Sequence, residues 1–62
     1  MYVIKSHPNK EEYCKFFIAG STTDVSIVYN IKDATRFETI EKVRKAKDIL
    51  EMHKKDGFII GI

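Results

Sequence analysis

The sequence is short of the residues that usually stabilise a very small protein. It has one cysteine, one proline and no tryptophan in 62 residues. With Cys14 as the single cysteine, an internal disulfide is excluded, and so is a zinc site made of several thiolates. A chain of this size barely offsets its conformational entropy by burying apolar surface, so oligomerisation or partner binding is the remaining common route to stability.

Long apolar runs are also missing. The longest, 16–19 and 58–62, are far shorter than the roughly 20 residues of a membrane-spanning helix. The first residues have neither a basic start nor an apolar stretch of signal-peptide length. We therefore expect a cytoplasmic protein with no membrane partner.

No charge of one sign dominates the chain. Eleven Lys and Arg oppose nine Asp and Glu, for a formal net charge of +2, and 44% of the residues are hydrophobic. That mixture is typical of a folded soluble domain and not of a disordered chain. It indicates one domain over residues 1–62, without the basic arm that grips nucleic acid by charge alone.

Four segments cluster or alternate their apolar residues as strands do: 2–4, 13–19, 25–31 and 58–62. The polar stretch 20–24, which opens with Gly20, predicts a turn between the second and the third. The predicted fold class is α+β, in the order β-β-β-α-β. We expect an antiparallel three-stranded meander, one helix packed on one face and a C-terminal strand that joins the sheet.

The helix is indicated by apolar residues at three- and four-residue steps from Ile40 to His53. Two N-caps compete: Thr35 with Glu38 matches a capping box, whereas Thr39 directly precedes the apolar stripe. We favour Thr39 and expect about 16 helical residues, with Gly57 as the stop signal just beyond the last turn. The predicted core consists of Val25, Ile27, Ile31, Phe37, Ile40, Val43, Ala46, Ile49 and Leu50.

One helix covers one sheet face, yet most of the predicted strands are apolar on both faces. A contiguous exposed apolar patch usually marks an interaction site. We therefore predict a protein interface on the open sheet face or on the edge of the last strand, with a homodimer as one form of it. The predicted partner-binding residues are Tyr2, Tyr13, Phe17 and Ile59, and a register shift of one residue would exchange the faces.

Candidates for catalysis are few. His7 lies in a polar loop, and His53 lies near the helix end. Cys14 has neither a helix N-terminus nor a basic pair beside it in sequence that would activate its thiol. Glu38 and Glu41 are explained more simply by the dipole at the start of the helix. The three glycines are too far apart to form a phosphate-binding loop. We predict no catalytic residue, no metal site and no cofactor, and a protein that is not an enzyme.

A first resemblance is carried by the lead into the helix. Ala34, Phe37 and Thr39 have the spacing A-x-x-F-x-T ahead of a small apolar residue, Val43. This pattern resembles very small uncharacterised proteins encoded by bacteriophages and prophages. The resemblance implies a protein that binds and modulates a host or phage protein, and that works in the host cell cytoplasm.

A second resemblance is carried by three predicted strands followed by a helix that is entered through Phe37, Glu38 and Thr39. This arrangement resembles the N-terminal arm-site-binding domain of phage-type integrases, whose three-stranded sheet lies in the DNA major groove. The predicted sheet offers only Lys5 and Lys15 as cations, and a strand follows the helix. A sheet that reads bases needs Arg, Lys, Asn or Gln on its outer face. We therefore predict a non-enzymatic protein-binding module first and a small DNA-binding domain as the alternative.

Overall fold

Four strands form one sheet with a single helix packed against it. The computed structural model describes the backbone of residues 1–62 and every side chain except that of Ala19. The elements in chain order are β1 (Tyr2–Lys5), β2 (Tyr13–Ala19), β3 (Thr22–Val28), a 3-10 turn (Ile31–Asp33), α1 (Ile40–Met52) and β4 (Phe58–Gly61). The strand order is β3-β2-β1-β4, and all neighbouring strands are antiparallel. The predicted α+β class and the order β-β-β-α-β are confirmed.

The hairpin of β2 and β3 is tighter than the sequence pattern indicates. β3 begins at Thr22 and ends at Val28, whereas the alternation predicted a strand over 25–31. Gly20 has a positive φ of 62°. Glycine at the first position of a two-residue loop suits a type II′ turn, which closes a hairpin tightly. Residues 22–24 therefore pair with β2 instead of forming the predicted longer turn.

A short extended segment, 35–37, lies between β1 and β2. The backbone N–H and C=O of Phe37 both pair with Tyr2 in β1, each at 2.9 Å. On the other side, Thr35 donates its N–H to the carbonyl of Cys14 in β2. The hydroxyl Oγ1 of Thr35 accepts the N–H of Phe16 at 2.8 Å, in the place where a strand would offer a carbonyl. β1 and β2 pair directly only at Lys5 and Tyr13. Beyond that point the segment 35–37 connects the two strands through these hydrogen bonds.

Two apolar clusters lie on opposite faces of the sheet. The cluster on the helix side buries five residues: Ile4, Cys14, Val43, Ala46 and Leu50. The cluster on the second face consists of Val3, Tyr13 and Ala34, with partly buried Val28, Ile31 and Ile60 around it. The connection from β3 to α1 supplies Ile31 and Ala34. This connection therefore covers part of the face that the helix does not reach.

The position of α1 decides which predicted core residues are buried. α1 begins after the N-cap Thr39, whose side chain accepts the N–H of Lys42, as the sequence predicted. The helix packs mainly over β1 and β4, on one side of the sheet. Ile27 on β3 consequently stays 44% exposed and Ile40 stays 36% exposed, so the prediction that these two are core residues is wrong.

The helix ends earlier than predicted because Lys54 leaves the helical conformation. Its φ is +57°. Its N–H bonds to the carbonyl of Glu51, and the N–H of Lys55 bonds to the carbonyl of Leu50, both at 2.9 Å. These two bonds define a Schellman motif, which usually has glycine at the left-handed position. α1 therefore has 13 residues and ends at Met52, and Gly57 has another role.

Replacing Lys54 by glycine is expected to raise the free energy of unfolding by about 0.5–1 kcal/mol, since glycine adopts positive φ without the Cβ clash. Urea unfolding measures the difference. Lys54→Ala is the matched control, because it removes the same charge and keeps the Cβ. If the glycine variant were no more stable than the alanine variant, the left-handed conformation of Lys54 at the end of α1 would be contradicted.

Candidate binding groove

The helix leaves the outer part of its own sheet face, along β2 and β3, only partly covered. There, β2 and β3 present four neighbouring apolar side chains between α1 and the sheet edge. We call Phe16, Ile18, Val25 and Ile27 the apolar strip. Ile18 is 80% exposed, while Phe16 and Val25 are partly buried against the core. Because β3 is an edge strand, the strip continues to the free edge of the sheet.

Two hollows line up along this strip. One, of about 280 Å³, is bounded by Cys14, Val25, Ile27 and the end of α1 at Leu50. The other, of about 240 Å³, lies further along the same strands, with walls that include Ile18 and Ile49. The two hollows share no lining residue and follow each other along β2 and β3, and we call them together the groove between α1 and β3. Both are mostly apolar in their lining, which suits an apolar ligand segment and not a polar substrate.

The rim of the groove is basic. Lys42 and Lys45 border it on α1 and Lys55 borders it beyond the helix end, where Asp56 is the single acidic residue among the lining side chains. Lys42 also lies 3.9 Å from the carboxylate of Glu38, in a pair that is exposed on both sides. Exposed pairs of this kind contribute little, so the rim stays available to acidic groups from outside.

The four predicted partner-binding residues do not share a surface. Tyr2 and Ile59 pack against the helix-side cluster. Tyr13 belongs to the cluster on the second face, where it is 7% exposed. Phe17 is 46% exposed, with the Nζ of Lys15 5.3 Å from its ring centroid. Strand pleat explains the split: Tyr13 and Phe17 share one face, and Tyr2 and Ile59 share the other.

The exposed residues of the groove, Ile18 and Ile27, were not among the predicted contacts. The period-2 alternation in β2 places Ile18 on the face of Phe16 and opposite to Phe17. The alternation does not show which strands the helix covers. That depends on the sheet order, in which β1 and not β3 holds the position beside β4.

The structure does not bring the candidate catalytic residues His7, His53 and Cys14 together in one site. The Nδ1 of His7 accepts the N–H of Asn9 at 3.0 Å in the loop after β1. His53 is the C-cap of α1 and is exposed. Neither histidine lines the hollow beside Cys14. Among the described side chains, no three His, Cys, Asp or Glu residues gather as a metal site would require.

Cys14 is buried, with 1% of its surface exposed. Burial raises the pKa of its thiol above the usual 9.0, and the charge of Lys55 opposes this with a smaller effect. A raised pKa favours the neutral thiol, which is the unreactive form. Cys14 therefore behaves as a small core residue under the groove.

Above pH 9.0 the wild-type protein is expected to lose more stability than Cys14→Ala. The unfolded chain releases the thiol proton at a lower pH than the folded chain, so the contribution of the thiol is complete below pH 9.0 and falls as pH rises. Every other titrating group is common to both proteins. Urea unfolding from about pH 7 to about pH 10.5 measures the difference between them. A difference that does not change with pH would contradict the buried neutral thiol.

Within the described structure, α1 is too short and too polar to cross a membrane. Comparisons of the chain with protein-family models, with curated proteins and with solved structures found no match.

Proposed function

We propose that this protein is a non-enzymatic protein-binding module that takes an apolar segment of another protein into the groove between α1 and β3. The observation that carries this function is the apolar strip, in which α1 leaves Ile18 and Ile27 exposed although they lie on the helix side of the sheet. Burying apolar surface contributes about 25 cal/mol per Å². An exposed apolar patch beside a basic rim is typical of a surface that binds a partner.

The composition of the groove favours a protein ligand over nucleic acid. The cations of the groove, Lys42, Lys45 and Lys55, lie on its rim. Its apolar floor has no cationic or amide side chain with which to contact base edges. Lys5 and Lys15 lie on the second face, where their Nζ atoms are 5.8 Å from the ring of Tyr13 and 5.3 Å from the ring of Phe17. Two cations are few for a sheet that binds DNA, which remains the alternative function.

Several narrower expectations from the sequence stay predictions. These are the phage or prophage origin, the modulation of a host or phage protein, the cytoplasmic location and the homodimer. The sheet has two free edges, β3 and β4, and a homodimer would form if one of them paired with a second copy of the chain. An edge strand with few charged side chains is open to pairing with a second strand, and β3 has only Asp24.

Two adjacent residues of β2 test the proposed function. Ile18 lies in the groove and Phe17 lies on the second face, and both are exposed. Wild type, Ile18→Asp and Phe17→Asp, each checked for folding by circular dichroism, are immobilised and incubated with nuclease-treated lysate of the source cell. We expect one protein to be retained in near-stoichiometric amounts by wild type and Phe17→Asp and to be lost from Ile18→Asp.

Three results would contradict the groove as the binding surface. Loss from Phe17→Asp alone would move the interface to the second face, where two of the four predicted contacts, Tyr13 and Phe17, lie. Capture that disappears with nuclease would favour the DNA-binding alternative. An absence of any retained protein would remove the basis for a binding module.

A further inference from the structure

We propose that the occupant of the groove is a single amphipathic α-helix with acidic flanks, donated by a partner protein, an inference that rests on the proposed function. Its support comes from three features of the groove: its width, its length and the charge of its rim.

The two strands over which α1 does not mainly lie, β2 and β3, are together about as wide as one helix. Neighbouring strands lie about 4.8 Å apart, so two strands occupy about 10 Å, which is also the diameter of a helix with its side chains. α1 lies over β1 and β4. The remaining strands, β2 and β3, therefore leave space for a second helix beside α1, which would complete a layer of two helices on four strands.

The length of the strip suits a helix of a few turns. From Cys14 to Ile18 the strand advances four residues, or about 13 Å. A helix covers that distance in about nine residues. Three apolar anchors at i, i+4 and i+7 span about 11 Å and would then lie above most of the strip from Ile27 to Ile18. An extended segment added to the edge of β3 would leave the hollow above β2 unfilled.

The rim selects the charge of the occupant. Lys42 and Lys45 face the groove from α1, and Lys55 faces it from the chain beyond the helix. Acidic residues beside the apolar anchors would meet these cations. A second copy of this chain seated in the groove would bring its own lysines against them, and like charges at an interface are unfavourable. The rim therefore favours an acidic partner helix over self-association at this surface.

The test is a selection from a displayed library of random peptides about 16 residues long, enough for roughly 24 Å of helix. The immobilised full chain is the bait, and Ile18→Asp is the counter-selection. We expect enriched peptides with apolar residues at i, i+4 and i+7 and with Asp or Glu beside them. Enriched peptides whose apolar residues alternate with period two, or whose flanks are basic, would contradict the proposal that an acidic helix occupies the groove.

The charge preference is measured on one enriched peptide by fluorescence anisotropy. Lys45→Glu is expected to weaken its binding about fivefold or more, and less in high salt. Arg44→Glu is the matched control, because Arg44 is exposed, lies about 100° around the helix from Lys45 and lines neither hollow. A change within about twofold is expected there. Equal effects of the two variants would overturn the role of the rim.

The outcomes separate this inference from the proposed function. Enriched peptides that need Ile18 but lack helical spacing or acidic residues would refute the acidic helix and leave a groove that binds protein. Peptides that bind Ile18→Asp as well as wild type, or no enrichment at all, would count against both.

Discussion

Replacing Gly57 by alanine is expected to lower the free energy of unfolding by about 1–3 kcal/mol, the usual cost of overpacking a core. A Cβ at position 57 would lie 2.8 Å from Cδ1 of Leu50 and 3.1 Å from Cγ2 of Ile4. Leu50 and Ile4 are both fully enclosed in the helix-side cluster, so neither side chain can move without disturbing its neighbours. Gly57 is therefore required for the close approach of the chain before β4 to the core, and not for a special φ.

The expected loss is large for a domain of this size. At about 0.05–0.15 kcal/mol per residue, the whole free energy of unfolding is about 3–9 kcal/mol. Each kcal/mol shifts Tm by about 4–8 °C in such a small domain. Calorimetry measures this shift, and Gly61→Ala is the control, because a Cβ there would only touch Cε1 of Tyr2 at 4.0 Å. Equal Tm values for the two variants would show that the contact at Gly57 does not restrict the core.

Replacing Thr35 by valine is expected to lower the free energy of unfolding by about 1–3 kcal/mol. Valine has the shape of threonine, but it lacks the Oγ1 that accepts the N–H of Phe16 at 2.8 Å. That N–H would then be left without a partner in a partly buried position, and an unsatisfied buried donor costs this much. The loss would also loosen Phe16, whose ring packs edge-on against Phe37 at 5.7 Å between centroids.

Thr35→Ser is the matched control for this prediction. Serine keeps the hydroxyl acceptor and loses only the methyl group, so we expect it to remain more stable than valine at this position. Urea unfolding of the two variants measures the comparison, with equal m values as evidence that both remain two-state. A valine variant as stable as the serine variant would mean that the bond from Phe16 to Thr35 contributes nothing.

The sequence predicted the elements that local patterns specify. The three- and four-residue apolar steps located α1, and Thr39 directly before that stripe located its N-cap. The cluster of apolar and aromatic residues located β2 between residues 13 and 19. The segment 32–37 showed neither pattern. Its residues form hydrogen bonds with two different strands, β1 and β2, and do not belong to one regular element. Thr35, which matched a helix-capping motif, instead serves as an acceptor for β2.

The groove itself could not be predicted from local patterns. The alternation shows that Ile18 and Phe16 share a face, and it cannot show that the helix lies over β1 and β4 instead. The helix end illustrates the same limit: a lysine occupies the left-handed position that glycine usually takes, so Gly57 suggested a later stop. Sheet order and helix position arise from long-range packing, and the exposed apolar strip follows from both.

Amide chemical-shift mapping by NMR tests the central claim most directly, with an enriched acidic peptide or the captured partner added to the labelled full chain. The groove between α1 and β3 predicts that the largest shifts cluster at Ile18, Ile27, Lys45 and Ile49, and that Phe17 and Phe58 on the second face change little. Shifts centred on Phe17 and Phe58, or confined to the edge of β4, would contradict the groove as the binding surface.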